Sequence, residues 1–489
     1  MSRSTADISA MKILLVRPPI MLQVARRLQP FLHLEPLSLE IVAGGIPADC
    51  PVRILDLASE KKPAQAFSRV LAEWRPEVVG FTAYSNQAAV VKKLARQAKD
   101  RLPQALVLAG GVHATIAPHD FQLPGVIDLV VRGEGGSAIR ELLRRWPAEP
   151  RLPATEALLP TDSPRFAELA ELPPPALPEY DEVPAPRRDL VDRSAYYCIW
   201  HGGPGERLPN LFPTTASVRT SVGCPNRCNF CVVHHLARGK YLQRNPQAVV
   251  DEIAALPENH VYFVDDEMFI NPRRTGEIAR LLIERGVRKH YISWARADTI
   301  CRHPELFRLW KEAGLSLLYV GLESMEAENL RAYNKGIDVD VNYRAVEQLR
   351  ELGIGLHAAL MVNPDFSMED FMKLRRTVSR IGPAEVSFTV FSPAPGTELW
   401  QQHRESFVCP DPHAFYDCMH TLLPTTLPLK KFYAQFALLF LLGVRENPWR
   451  RNRVKVGWRD LARFFWRGAR YGRALRNIYR DYPDSASSP

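Results

Sequence analysis

Three cysteines, Cys224, Cys228 and Cys231, fall within one short stretch, 221–241, in a C-x3-C-x2-C spacing. Thiols this close cannot pair off as a disulfide set, and soft thiolate donors favour zinc, copper(I) or an iron–sulfur cluster. A zinc site needs a fourth ligand, and His234 or His235 would supply it. Structural zinc loops usually bring their cysteines as two separated pairs, however, and no second pair follows here. Three cysteines on a four-iron cube leave one iron without a protein ligand, open to a small molecule.

The elements that must position this loop are short apolar runs alternating with helical patterns. Candidate strands are 217–221, 260–264, 291–296, 316–321, 355–362 and 385–391, with helical periodicity at 246–255 and 368–379. The cysteine loop follows the first of them. Upstream, apolar runs at 12–17, 52–57, 78–82, 105–109 and 129–132 alternate with segments such as 88–98, which implies an α/β fold with a doubly wound parallel sheet. Ligands of such sheets sit beyond the carboxyl ends of the strands. Those ends carry Thr82-Ala83-Tyr84-Ser85-Asn86, Gly110-Gly111-Val112-His113-Ala114-Thr115 and Gly133-Glu134-Gly135-Gly136. Small residues let backbone approach a bulky ligand closely, although any one of these glycines taken alone also serves simply to turn the chain.

With 489 residues, 46% hydrophobic and 24% charged, the chain has room for two or three globular domains. Five further cysteines stand singly, which suits reduced thiols in a cytoplasmic compartment and excludes a secreted disulfide framework. The opening residues lack the apolar run of a secretory signal, and Met11 is an alternative start. Ten prolines between Pro150 and Pro186 mark a semi-rigid surface connector, 150–213. The net charge of +9 is matched by the excess at 445–481, twelve Lys and Arg against three Asp and Glu, so the basic partner surface lies in the tail. There, 432–444 is apolar but shorter than the about 20 residues that span a bilayer. At 459–480 a helix would gather Leu461, Phe464, Phe465, Gly468, Tyr471, Gly472, Leu475, Ile478 and Tyr479 on one side, with seven arginines on the other. Such a helix either meets an anionic membrane interface or packs its apolar face on the protein body; phosphate of RNA is a third partner, without a recognisable RNA module.

The cysteine loop, with Phe230 before its third cysteine, resembles the radical S-adenosylmethionine (SAM) superfamily. That resemblance implies a partial (β/α)6 barrel over 214–400, a [4Fe-4S] cluster held by Cys224, Cys228 and Cys231, and SAM chelated at the open iron. Further matches are Gly321-Leu322-Glu323-Ser324, where relatives place a carboxylate against SAM, Arg296 and Asp298 at the end of the third strand, and the Pro395-Gly396-Thr397 turn. Asp265-Asp266-Glu267 resembles an acidic turn of the cobalamin-using members; a solvated acidic turn is the plainer alternative. Gly110 to Thr115 matches the GGxHAT stretch of the cobalamin-binding domain found ahead of many such barrels, and Gly133 to Gly136 matches its GEGE stretch in part. No D-x-H-x-x-G motif follows the first strand, so by resemblance cobalamin binds at 11–149 without a histidine on cobalt, and His113 contacts the corrin edge or tail or caps a helix. Cofactor contacts are thus expected at Thr82, Ser85, Gly110, Gly111, His113, Ala114, Thr115, Gly133, Glu134, Gly135, Arg296, Gly321, Glu323 and Ser324. No catalytic acid or base is assigned; His357, Tyr319 and Tyr416 are candidate substrate contacts or packed core residues.

This layout resembles the cobalamin-dependent radical SAM methyltransferases, and the stretches 21–45 and 415–432 are similar to the hopanoid C-3 methylase branch. The resemblance implies hydrogen-atom abstraction from an unactivated carbon, methyl transfer from methylcobalamin, and a flavodoxin or ferredoxin as electron donor. The expected substrate is a hydrophobic polycyclic triterpenoid, the expected place the cytoplasm with peripheral contact at the inner membrane face, and 401–489 a helical, basic region. Competing readings are a tetrapyrrole or lipid cyclase, a peptide or small-metabolite methylase, and, outside enzymes, a metal-sensing or RNA-binding module.

Overall fold

The computed structural model describes residues 11–146, 151–180, 183–200, 207–208, 210–445 and 455–483. The residues before Met11, the part of the connector at 201–206 and the charged stretch 446–454 lie outside them. The chain divides into two compact units. One is built on Glu35–Ala195 with the first strand, the other on Gln23–Leu34, Tyr196–His234 and the chain from Gly239 on.

In the first unit, β1 (Ile13–Arg17), β2 (Val52–Asp56), β3 (Val78–Thr82), β4 (Leu106–Gly110), β5 (Leu129–Val131) and β6 (Leu158–Pro160) lie in the order β2-β1-β3-β4-β5-β6. Pairing is parallel through β5 and antiparallel at β6. The period of two along β1 sends Leu14 and Val16 into one core and Ile13 and Leu15 into another, so both faces of the sheet are covered, as a parallel sheet requires. Strand order reverses between β1 and β3, which makes their carboxyl ends, with those of β4 and β5, the place where a ligand can enter. The helix α1 (Gly135–Arg145) follows β5.

The proline-rich stretch differs from the surface connector expected of it. Leu158 and Leu159 enter the sheet as β6, and Phe166, on the following short helix, is fully buried. Three apolar anchors outweigh the prolines, which sit mostly between elements where a missing N–H costs nothing.

In the second unit, β7 (Thr215–Val218), β8 (His260–Phe263), β9 (His290–Ala295), β10 (Leu315–Glu323), β11 (Gly355–Val362) and β12 (Glu385–Val390) pair in parallel in sequence order, an open six-stranded barrel. Along β10 the outward Leu318, Val320 and Leu322 are fully buried under helices, whereas Tyr319, Gly321 and Glu323 keep partial exposure toward the lumen. β11 repeats the pattern with Leu356, Ala358 and Leu360 outside and His357 and Ala359 inside. At the amino end the lumen is filled by Trp200, Leu211, Tyr262, Ile292, Leu317 and Phe464. β7 ends earlier than the apolar run suggests; Ser221–Val222 instead pairs antiparallel with Leu242–Gln243 and brackets the cysteine loop.

Beyond the barrel, α2 (Leu429–Arg445) and α3 (Trp458–Arg476) form an antiparallel hairpin, since Tyr433 meets Tyr482 while Phe440 meets Tyr471. Phe464, Tyr471, Leu475 and Ile478 are buried in this unit. The apolar face read from the sequence is therefore largely occupied within the protein. No helix among the described residues is long and apolar enough to cross a membrane.

Candidate functional site

The cysteine loop is gripped from two sides. Below it, Asp265, at the carboxyl end of β8, accepts hydrogen bonds from the Thr220 backbone N–H at 3.1 Å, the Thr220 hydroxyl at 2.8 Å and the Ser221 hydroxyl. Asp266 accepts from the Gly223 N–H at 2.7 Å. Burial pushes both carboxyls up, and these donors oppose it. Asp265 and Glu267 are buried, whereas Asp266 is an exposed residue whose carboxyl group turns in toward the Gly223 N–H; the two aspartates hold the loop's entry strand in place. On the other side, Asn229 donates to the Ala332 carbonyl and Asn334 donates to the Arg227 carbonyl, both at 2.7 Å, and Phe230 packs edge-on against Tyr333.

Within this grip the Asn226 amide donates to the Cys224 sulfur at 3.2 Å, and the Arg296 guanidinium reaches the Cys228 sulfur at 3.7 Å. Burial raises the Cys231 thiol to about 11, with Cys228, Asp266 and Cys224 adding to it. A protonated thiol binds metal weakly, so a cation on the loop is what would bring the three to thiolates together. Three soft donors, two of them already receiving hydrogen bonds, fit a cluster with three protein ligands.

Beside the loop lies a charged cradle built from the ends of β9 and β10. Arg296 donates to Asp298 at 2.9 Å and to the Lys335 carbonyl at 2.9 Å, and Lys335 pairs with Glu323 at 2.8 Å. Glu323 sits at φ +58°, where the β10–β11 register slips. A non-glycine residue in that region is worth a look, since it is held there by its surroundings. Here the strain folds the carboxylate back over Gly321, where any Cβ would collide with it. Ser324 is buried, and its hydroxyl accepts from the Glu326 N–H and the Asn329 amide, which continues through Asn363 to Tyr333. Glu267, also buried, is raised to about 8 by burial, with Arg296 and Lys335 pulling it back. A carboxylate clamped by a lysine beside an arginine on a sulfur can receive an ammonium and a hydroxyl of an adenosyl amino acid.

Deeper in the lumen, Trp294, Tyr319, His357 and Glu385 are register partners on β9 to β12 and form one row. Ring centroids are 3.7 Å apart for Trp294 and Tyr319 and 4.1 Å for Tyr319 and His357. Glu385 holds His357 Nδ1 at 2.7 Å, and the Tyr319 hydroxyl pairs with Ser387. Above them stand Gly321 and Ala359, register partners too small to fill the lumen. Tyr416 lies elsewhere, beside the Cys231 and Cys418 thiols, its hydroxyl pushed up by burial.

In the first unit the three small-residue loops are stitched together at the carboxyl edge. The Ala83 N–H donates to the Gly110 carbonyl, the His113 N–H to the Ala83 carbonyl, and Thr115 links Gly111 to Gly133. Gly111, at φ +92°, would place a Cβ 2.6 Å from the Thr82 hydroxyl. These close backbone approaches leave an edge suited to a flat, bulky ligand. His113 is fully buried, with Nδ1 on Ser85 at 3.2 Å and Nε2 on Asp120 at 2.9 Å. Its imidazole braces two loops. Glu134 caps α1 through the Gly136 and Ser137 N–H groups, so this carboxylate too is committed to the fold. Thr82 and Ala114 stand at the same edge.

Lys335 and Glu385, the partners of Glu323 and His357, were not separable in the sequence from ordinary charged residues. Lys335 follows Glu323 by twelve positions and is brought back by the turn at Asn334, which also takes positive φ. Arg132 was equally silent, although it is buried and donates to the carbonyls of Leu169 and Leu172.

The radical SAM superfamily model matches residues 218–378 and the B12 binding domain model matches 29–143. The chain is 31% identical to the hopanoid C-3 methylase of Methylococcus capsulatus over 430 residues, 87% of this chain and 78% of that one. It is 27% identical to the anaerobic magnesium-protoporphyrin IX monomethyl ester cyclase of Cereibacter sphaeroides, over 72% of this chain and 56% of that one. Among solved structures, the radical SAM methyltransferase TsrM from Kitasatospora setae shares the fold with a TM-score of 0.61 at 18% identity, covering 88% of this chain and 89% of that one. The chain belongs to the cobalamin-binding radical SAM methyltransferases, enzymes that work with a [4Fe-4S] cluster, SAM and cobalamin.

Proposed function

We propose that this enzyme methylates an unactivated carbon of a polycyclic triterpenoid lipid, at the position called C-3 in hopanoids. The observation that carries the reading is the 31% identity to a hopanoid C-3 methylase, extended over 87% of the chain. The domain limits 11–149, 150–213, 214–400 and 401–489 belong to this proposal, as does an electron donor of the flavodoxin or ferredoxin type.

When bound, the cluster with SAM supplies hydrogen-atom abstraction and the corrinoid supplies a transferable methyl group. Cys224, Cys228 and Cys231 hold the cluster, and Arg296 steadies the charge on the Cys228 sulfur. Glu323, fixed by Lys335, takes the cationic end of SAM, with Gly321 leaving room for that carboxylate and Ser324 fixing the turn. The edge formed by Thr82, Ser85, Gly110, Gly111, Ala114, Thr115, Gly133 and Gly135 receives the corrinoid, with His113 and Glu134 shaping its loops. The Trp294–Tyr319–His357 row lines the lumen against which an apolar skeleton rests, while the packed amino end excludes water.

A gene deletion followed by mass spectrometry of lipid extracts tests this reading. The expected result is loss of a triterpenoid one methylene heavier than its precursor, restored by the wild-type gene and not by Cys228→Ala. Unchanged lipids with an altered polar metabolite reject the substrate. The similarity to a tetrapyrrole cyclase supports a second reading; a product with a new ring and no added methyl would establish it.

A further inference from the structure

α3 carries a second apolar face. With Trp458 at 0° and 100° per residue, Ala462, Phe465, Trp466 and Ala469 fall with it inside an arc of about 100°, and all five are exposed. Trp458 is 73% exposed, Phe465 56% and Trp466 60%. The buried Phe464, Tyr471, Leu475 and Ile478 occupy the opposite side, so the need for a core does not explain these rings. On α2, Leu441 is likewise 57% exposed.

Charge lines one border of this face and its carboxyl end, where the exposed Arg473 and Arg476 fall within the same arc. Arg459, Arg463 and Arg470 lie at about 100° to 140° on the same scale. The Arg459 guanidinium stacks over Trp458 at 5.4 Å and that of Arg470 over Trp466 at 4.4 Å. Asp460, its side chain 19% exposed, lies 3.8 Å from the Arg463 guanidinium at the edge of that border. Exposed tryptophans bordered by arginines, two of which stack on the indole rings, match the headgroup layer of an anionic bilayer, where indole rings settle and each basic side chain adds attraction.

We propose that this face of α3 docks the enzyme on an anionic phospholipid surface. The inference stands on the surface itself and goes beyond the choice of substrate. The full-length holoenzyme would be sedimented with phosphatidylcholine vesicles with and without added phosphatidylglycerol. Binding is expected with the anionic vesicles, weakening as salt rises. The triple variant Trp458→Ser, Phe465→Ser, Trp466→Ser should lose most of it, and Arg459→Gln, Arg463→Gln, Arg470→Gln should weaken it about 100-fold, both with unchanged melting and unchanged turnover of detergent-dispersed substrate. Failure to bind, or binding indifferent to both variants, overturns the proposal. So does a concentration-dependent dimer in gel filtration that the serine variant abolishes without any vesicle binding, which would make the face a contact between two copies.

Discussion

Asp265→Ala gives the sharpest test of how the cysteine loop is held. The carboxylate receives three donors, the Thr220 N–H, the Thr220 hydroxyl and the Ser221 hydroxyl, and both donor residues are buried. Removing the acceptor orphans them at about 1–3 kcal/mol each, while relief from keeping a desolvated carboxylate returns part of that. The net loss should be about 3–5 kcal/mol, concentrated at the loop's entry strand. Asp265→Asn keeps one carbonyl oxygen and should lose about 1–2 kcal/mol. Asp251→Asn, on the exposed side of its helix with an ion pair to Arg285 and a hydrogen bond from Gln247, serves as the control and should stay within about 0.5 kcal/mol. The assay is anaerobic reconstitution followed by iron per chain, visible absorbance and a denaturant melt. Iron content should fall in the order wild type, Asn, Ala. An alanine variant that loads iron fully and melts like wild type would refute the clamp.

His420 is buried between Asp417 and Asp481. Burial disfavours its charge, but the two carboxylates outweigh it and raise it to about 9. A raised histidine stabilises fully below its ordinary value near 6.5 and loses that contribution as pH climbs through about 9; up to about 3 kcal/mol should disappear between pH 6.5 and 9, and His420→Ala should flatten the difference in paired melts. Gly111→Ala forces a side chain into positive φ against Thr82, so it should cost at least about 1–2 kcal/mol and lower corrinoid content in the purified protein while iron content holds. His357→Phe keeps the stack on Tyr319 but removes one partner of Glu385, at 2.7 Å; methylated product should drop about 10-fold or more with iron content unchanged, because a partly buried carboxylate that loses an ion-pair partner disturbs the row it belongs to.

Much of the architecture was legible because it rests on periodicity. Alternation at 316–321 and the buried run at 78–82 announce strands wherever they occur, and the six barrel strands lie where those patterns stand. The cysteines were legible because three thiols at that spacing have few other uses. What escaped depends on distance in sequence. Nothing local marks Asp265 as the partner of Thr220, forty-five positions away, or Glu385 as the partner of His357. The buried stripe of α3 was visible in the helical wheel, yet the wheel cannot say which apolar arc faces the core. Trp458 and Trp466 belonged to no predicted face and turned out to be among the most exposed rings. Glycine-rich loops invited a ligand for every polar neighbour, whereas Glu134 and His113 serve the loops themselves.

The plug of Trp200, Leu211 and Phe464 at the barrel's amino end shuts that exit to anything the size of a lipid. A lipid of the kind proposed must then enter and leave at the carboxyl end or along the open seam of the barrel, larger by a carbon on the way out and no more soluble. For such a substrate, release would join bond making in setting the pace of the cycle, with an acceptor phase outside to receive the product.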